Sequence, residues 1–126
     1  MTPTILVVDN DSGLCQSLVD ALRDVGYLVV QAGDGIMALE QISGCVPDLI
    51  VSDVRMPRLD GIGLARVLAP RSPAIPIILM SDAPLPPDCP LPALRKPFTV
   101  EDLLTLMART LPMSVASIAL AGLGAV

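Results

Sequence analysis

A chain of 126 residues, 52% apolar and 17% charged, has the size of one folded domain and the composition of one with a real core, which excludes a disordered chain. A net charge of −5 leaves no basic excess for binding nucleic-acid phosphates, so direct nucleic-acid binding is not expected. Tyr27 and Phe98 are the only aromatic residues, so the core must be aliphatic.

The first apolar run, Ile5 to Val8, is continuous, as in a strand buried on both faces of a parallel sheet. It is too short for a secretory signal and ends in acid. After Asp9-Asn10-Asp11-Ser12, the residues Leu14, Leu18, Ala21, Leu22 and Val25 recur at helical spacing. Asp11 or Ser12 is the natural N-cap and Gly26 the natural stop. Leu28 to Ala32 reads as a second strand and Ile36 to Ile42 as a short helix. Leu49 to Ser52 reads as a third strand, delivering Asp53 at its C-terminal end. Gly61 to Ala69 is predicted helical, Ile75 to Met80 a fourth strand and Ala93 to Arg95 a short fifth. Thr99 caps a last helix with Leu103, Leu104, Met107 and Leu111 on one face.

From Asp82 to Pro92 the chain has eleven residues, five of them proline. A crossover between parallel strands needs at least about ten to twelve residues with its helix included. Proline inside a helix costs ~3 kcal/mol or more. A helix in this connection is therefore predicted to be missing or reduced to a turn. The alternation of strands and helices predicts an α/β, doubly wound sheet.

The domain is expected over residues 1–111. Residues 112–126 are expected to be an apolar extension, not a separate domain, and the uncharged stretch from Leu111 is short of the ~20 residues of a membrane span. Cys15, Cys45 and Cys89 are odd in number and lack C-x-x-C spacing, which reads as reduced thiols in the cytoplasm.

In doubly wound sheets, sites lie outside the carboxyl ends of the strands. The residues there are Asp9 and Asn10, Asp53, Ser81 and Lys96, the last being the only lysine beside seven arginines. Each has an ordinary alternative: acids after strands cap helices, a serine makes a turn, a lysine sits on the surface. Four of them at successive strand ends make a kit for metal-assisted phosphoryl transfer. Mg2+ accepts one or two carboxylates and keeps waters for phosphate oxygens. Lys96 can neutralise the transferring group and Ser81 can donate a hydrogen bond to it.

Three stretches, Ile5-Leu6-Val7-Val8-Asp9, the run Asp48 to Gly61 containing Asp53-Val54-Arg55-Met56-Pro57-Arg58-Leu59-Asp60-Gly61, and Leu94-Arg95-Lys96-Pro97-Phe98, resemble the receiver domains of bacterial two-component systems. The resemblance runs from about Thr4 to Arg109. It implies a flavodoxin-like sheet of five parallel strands in the order 2-1-3-4-5. It implies transfer of a phosphoryl group from the phosphohistidine of a sensor histidine kinase or a phosphotransfer protein onto Asp53. By the same resemblance Asp9, Asn10, Asp53 and the Arg55 backbone carbonyl would hold Mg2+, with Ser81 as the switch hydroxyl and Lys96 on the phosphate. It further implies a cis peptide before Pro97 and self-phosphorylation from small donors followed by autodephosphorylation.

The chain departs from that pattern in places. Asn10 stands where members carry a second acid, Asp82 follows the switch hydroxyl, and Ala93 replaces a reorienting aromatic. With the shortened connection, these put the usual output face in doubt. A pseudo-receiver that docks partners without taking phosphate is therefore a competing reading. An aspartyl phosphatase of the haloacid dehalogenase kind fits less well, because it leaves the Asp53 motif without a role.

Overall fold

The computed structural model describes residues 2–71 and 73–111. Nine elements follow one another among them: β1 (Thr4–Val8), α1 (Ser12–Val25), β2 (Leu28–Ala32), α2 (Gly35–Gly44), β3 (Leu49–Asp53), α3 (Gly61–Leu68), β4 (Ile77–Ser81), β5 (Ala93–Arg95) and α4 (Val100–Thr110). The strands form one parallel sheet in the order β2-β1-β3-β4-β5, as predicted.

Alternate residues of each strand face opposite sides, and both sides are buried. Ile5, Val7, Leu49, Val51, Ile78 and Met80 pack beneath α1 and α4, together with Leu18, Leu22, Leu103 and Met107. Leu6, Val8, Ile50, Ile77 and Leu79 pack on the other side against Ala38, Ile42, Leu64 and Leu68 of α2 and α3. Each fully buried aliphatic side chain is worth roughly 1.5–3 kcal/mol of transfer free energy.

The helix ends have identifiable causes. Asp11 caps α1, its carboxylate accepting from the Gly13 and Leu14 amides, each at 3.1 Å. Gly26, at φ 121°, terminates the helix in a conformation that favours glycine. Asp34 and Asp60 cap α2 and α3, and Thr99 with Asp102 forms a reciprocal capping box on α4.

Several boundaries move from the sequence reading; β1 starts at Thr4, and β3 and β4 run on to Asp53 and Ser81. Helix α2 starts earlier and runs longer than Ile36 to Ile42, because Asp34 supplies an N-cap. Strand β4 begins at Ile77, not Ile75: Pro76 has no amide to donate, although its carbonyl accepts from Ile50 at 2.9 Å. Helix α3 ends at Leu68.

No helix joins β4 to β5 among the described residues. Leu85, Cys89 and Leu91 of the proline-rich connection pack on the α2–α3 side of the sheet and cover what a helix would otherwise cover. No helix of the described residues is long and apolar enough to cross a membrane. The apolar extension 112–126 lies outside the described residues.

Candidate functional site

Strand register assembles the site. Val8 lies opposite Ser52, so Asp9 and Asp53, the next residues on adjacent strands, emerge side by side. Met80 lies opposite Asp53, which puts Ser81 at the same edge, and Arg95 lies opposite Ser81, which brings Lys96 to it. Backbone bonds lock these ends: Asp9 donates to the Ala32 carbonyl (3.1 Å), Val54 to Met80 (3.0 Å) and Lys96 to Ser81 (2.7 Å).

The Lys96 ammonium stands 3.2 Å from Asp53 Oδ1 and 3.8 Å from Asp9 Oδ2, so one cation bridges both carboxylates. Asp9 Oδ1 accepts from the Asp11 amide at 2.9 Å. Asp9 Oδ2 is buried with no hydrogen-bond partner. Burial pushes the Asp9 carboxyl above its ordinary range, with the Asp11 amide and Lys96 opposing that shift. A buried carboxylate oxygen with an unused lone pair, next to a second carboxylate, fits a hard divalent cation such as Mg2+. No trio of His, Cys, Asp or Glu side chains converges among the described residues, so any ion here would rely on carbonyl, amide or water oxygens as well. Asn10 and Arg55 are the residues that the sequence reading put forward for that. Both are exposed, and together with Met56, Pro57 and Asp60 they line a shallow cavity of about 400 Å3.

Ser81 is at the edge, but its hydroxyl is turned into its own loop. It donates to the Ala83 carbonyl and accepts from the Ala83 amide at 3.1 Å. Asp82 is exposed and lines, with Lys96, a groove of about 550 Å3 walled by Leu14 and Leu18 of α1 and by Phe98 and Val100. The Lys96–Pro97 peptide is cis, as the resemblance implied.

The sequence reading missed one part of the site's surroundings. Asp34 takes a two-pronged contact from Arg58: Nε to Oδ2 at 2.9 Å and Nη2 to Oδ1 at 3.0 Å. The Met37 amide first, and Arg58 second, hold the Asp34 carboxyl below its usual range against the opposing effect of burial. A carboxylate depressed in the folded state stabilises at pH above its unfolded value, and that contribution is lost as pH falls through the folded value. Asp34→Asn is therefore expected to lower the urea midpoint at pH 7 and to matter progressively less as pH falls below about 4. An equal effect at pH 7 and pH 3 would contradict this.

A family model described as the response regulator receiver domain matches residues 5–88. Response regulator MprA of Mycobacterium ulcerans (strain Agy99) is 40% identical over 114 residues, covering 85% of this chain and 49% of the relative. The chain thus spans about half the length of the curated relatives it first matches. Among solved structures, chemotaxis protein CheY4 of Vibrio cholerae superposes with a TM-score of 0.80 at 28% identity, covering 88% of this chain and all (100%) of that one. The receiver domain of sensor histidine kinase PA1611 from Pseudomonas aeruginosa PAO1, solved with magnesium in its active-site cleft, matches with a TM-score of 0.75 at 28% identity. That match covers 87% of this chain and 98% of that one.

Proposed function

The chain belongs to the response-regulator receiver family, and from that premise we propose that it accepts a phosphoryl group on Asp53. The observation that carries the reading is the single ammonium of Lys96 held between Asp53 and Asp9 at adjoining strand ends. An Asp53 carboxylate oxygen attacks the phosphorus of a phosphohistidine or small phosphodonor. The new O–P bond forms as the P–N or P–O bond to the donor breaks, and the donor leaves with that electron pair. Lys96 is already at Asp53 Oδ1 and can pass to a phosphoryl oxygen without crossing the site. The Ser81 hydroxyl leaves the Ala83 carbonyl to donate to another, carrying the Ala83 end of the proline-rich connection with it.

Mg2+ held by Asp9, Asp53, Asn10 and the Arg55 carbonyl would neutralise charge on the transferring phosphoryl. The donor is a sensor histidine kinase or phosphotransfer protein, and the groove beside Lys96 offers it apolar contact. The setting is cytoplasmic, in keeping with three unpaired cysteines, and the output is made to a protein, in keeping with the net charge of −5. Incubation with acetyl phosphate and Mg2+ should add one acid-labile phosphoryl mass, and EDTA should prevent it.

A docking module that never takes phosphate is the second reading, favoured by Asn10 in place of an acid and by the inward turn of Ser81. Absence of the added mass under those conditions would select it. The acceptor reading makes a prediction for Asn10 itself. A unit charge about 4 Å from a cation is worth ~1 kcal/mol in water and ~4 kcal/mol at an effective dielectric of 20. Asn10→Asp should then tighten Mg2+ binding by at least about fivefold in a calorimetric titration. Unchanged or weaker binding would mean that Asn10 is not beside the ion.

A further inference from the structure

The loop between β3 and α3, residues 54–60, carries Arg55 and is tied down at its base. Gly61 donates to the Val54 carbonyl at 2.9 Å, and the Asp60 carboxylate accepts from the Gly63 amide at 2.6 Å. Its far end is tied to a different element. Arg58 adopts φ 67°, the left-handed region, and is the one non-glycine residue to do so among those described. Side chains other than glycine stay there only where their surroundings hold them. Two contacts hold Arg58: the Leu59 amide donates across it to the Pro57 carbonyl at 2.8 Å, closing a tight turn, and its side chain forks onto Asp34; the adjacent Leu59 carbonyl accepts from the Gly35 amide at 3.2 Å. The approach is close: a Cβ at Gly35 would stand 2.5 Å from that carbonyl oxygen.

An exposed ion pair by itself contributes little. This one differs in three respects. Although the Arg58 side chain is 54% exposed, the Asp34 side chain is only 11% exposed, the contact is two-pronged, and the same carboxylate also caps α2 through the Met37 amide at 2.9 Å. Its two ends also adjoin the site. Asp34 lies two residues past Ala32, whose carbonyl takes the Asp9 amide, and Arg58 lies three residues past Arg55.

We propose that Asp34 and Arg58 form a positioning latch that fixes the β3–α3 loop against α2 and thereby sets where the Arg55 carbonyl stands relative to Asp9 and Asp53. The pair touches neither phosphoryl group nor ion, and acts through the loop. This rests on the acceptor reading for the role of Arg55, but the latch has a readout of its own.

The test compares wild type with Arg58→Ala, Arg58→Lys and, as a control, Arg66→Ala, which removes an arginine of α3 outside the latch. Amide exchange is followed in metal-free protein, and Mg2+ binding by calorimetry. Arg58→Ala should speed exchange across residues 54–60 at least about tenfold, leave β1 and α4 unchanged, and weaken Mg2+ binding at least about fivefold. Arg58→Lys keeps the charge without the fork and should fall between, while Arg66→Ala should match wild type. Loop exchange and Mg2+ affinity both within about twofold of wild type in Arg58→Ala would overturn the proposal. So would a uniform rise in exchange over the whole domain, which would make the pair merely structural. A wild-type chain with no Mg2+ affinity would count against the acceptor reading instead, and the metal-free exchange would still decide whether the pair holds the loop.

Discussion

Asp53→Asn is expected to abolish acid-labile phosphoryl uptake, a loss of at least about a hundredfold in the initial rate. An amide oxygen is close in shape to a carboxylate oxygen but carries no full negative charge, so the attacking atom is lost while the space it fills is kept. The fold should survive, because Asn keeps the shape of the buried Asp53 side chain and Lys96 retains Asp9 as a partner. Circular dichroism and the urea midpoint should therefore stay close to wild type, separating loss of chemistry from loss of structure. Asp9→Asn makes the complementary case. It leaves the acceptor in place and removes charge from the candidate cation site, so uptake should persist at raised Mg2+. If Asp53→Asn still gains the phosphoryl mass, the acceptor lies elsewhere.

Gly61→Ala should be strongly destabilising, because the methyl it adds has no room beside the acceptor strand. A Cβ at Gly61 would meet the Asp53 carbonyl oxygen at 2.4 Å and Leu79 Cδ2 at 3.2 Å. The first of these is backbone and cannot swing aside as a side chain end can. Either α3 moves off the sheet or the Asp53 peptide shifts, and overpacking of this kind costs about 1–3 kcal/mol. For a domain of this size that lowers Tm by several degrees. Because the displaced peptide belongs to Asp53, phosphoryl uptake should slow as well, even where the variant is fully folded. Gly13→Ala is the control, since a Cβ there meets only the Asp11 carboxylate at an ordinary 3.6 Å. Equal stability of the two variants would mean that the close approach at Gly61 does not constrain the acceptor.

What was legible in the sequence was what repeats locally. Apolar runs such as Leu49 to Ser52 and Ile75 to Met80 marked strands buried on both faces, although the second starts only at Ile77, and the acid or hydroxyl just past each run marked the site edge. Gly26 and Thr99 marked helix ends because capping chemistry lies within a few residues of the element it caps. The missing crossover helix was legible because five prolines in eleven residues deny a helix its amides. The latch was not: Asp34 and Arg58 are 24 residues apart, and neither residue type signals the other until the fold sets them together. The Asp-Gly at 34–35 was the available hint, since it could have been read as a helix cap. Nor could the sequence say that the Ser81 hydroxyl is bonded to Ala83, because a serine after a strand can turn inward or outward with equal local chemistry.

Asp53, and not another carboxylate at the sheet edge, is the proposed phosphoryl acceptor. An aspartyl phosphate is an acyl phosphate, which borohydride reduces to the alcohol, converting the phosphorylated aspartate to homoserine and releasing phosphate. Wild-type chain treated with acetyl phosphate and Mg2+, reduced with borohydride, digested and sequenced by mass spectrometry should carry homoserine at Asp53 alone. Homoserine at Asp9, Asp11 or Asp82 with Asp53 unchanged, or no homoserine at all, would contradict the account.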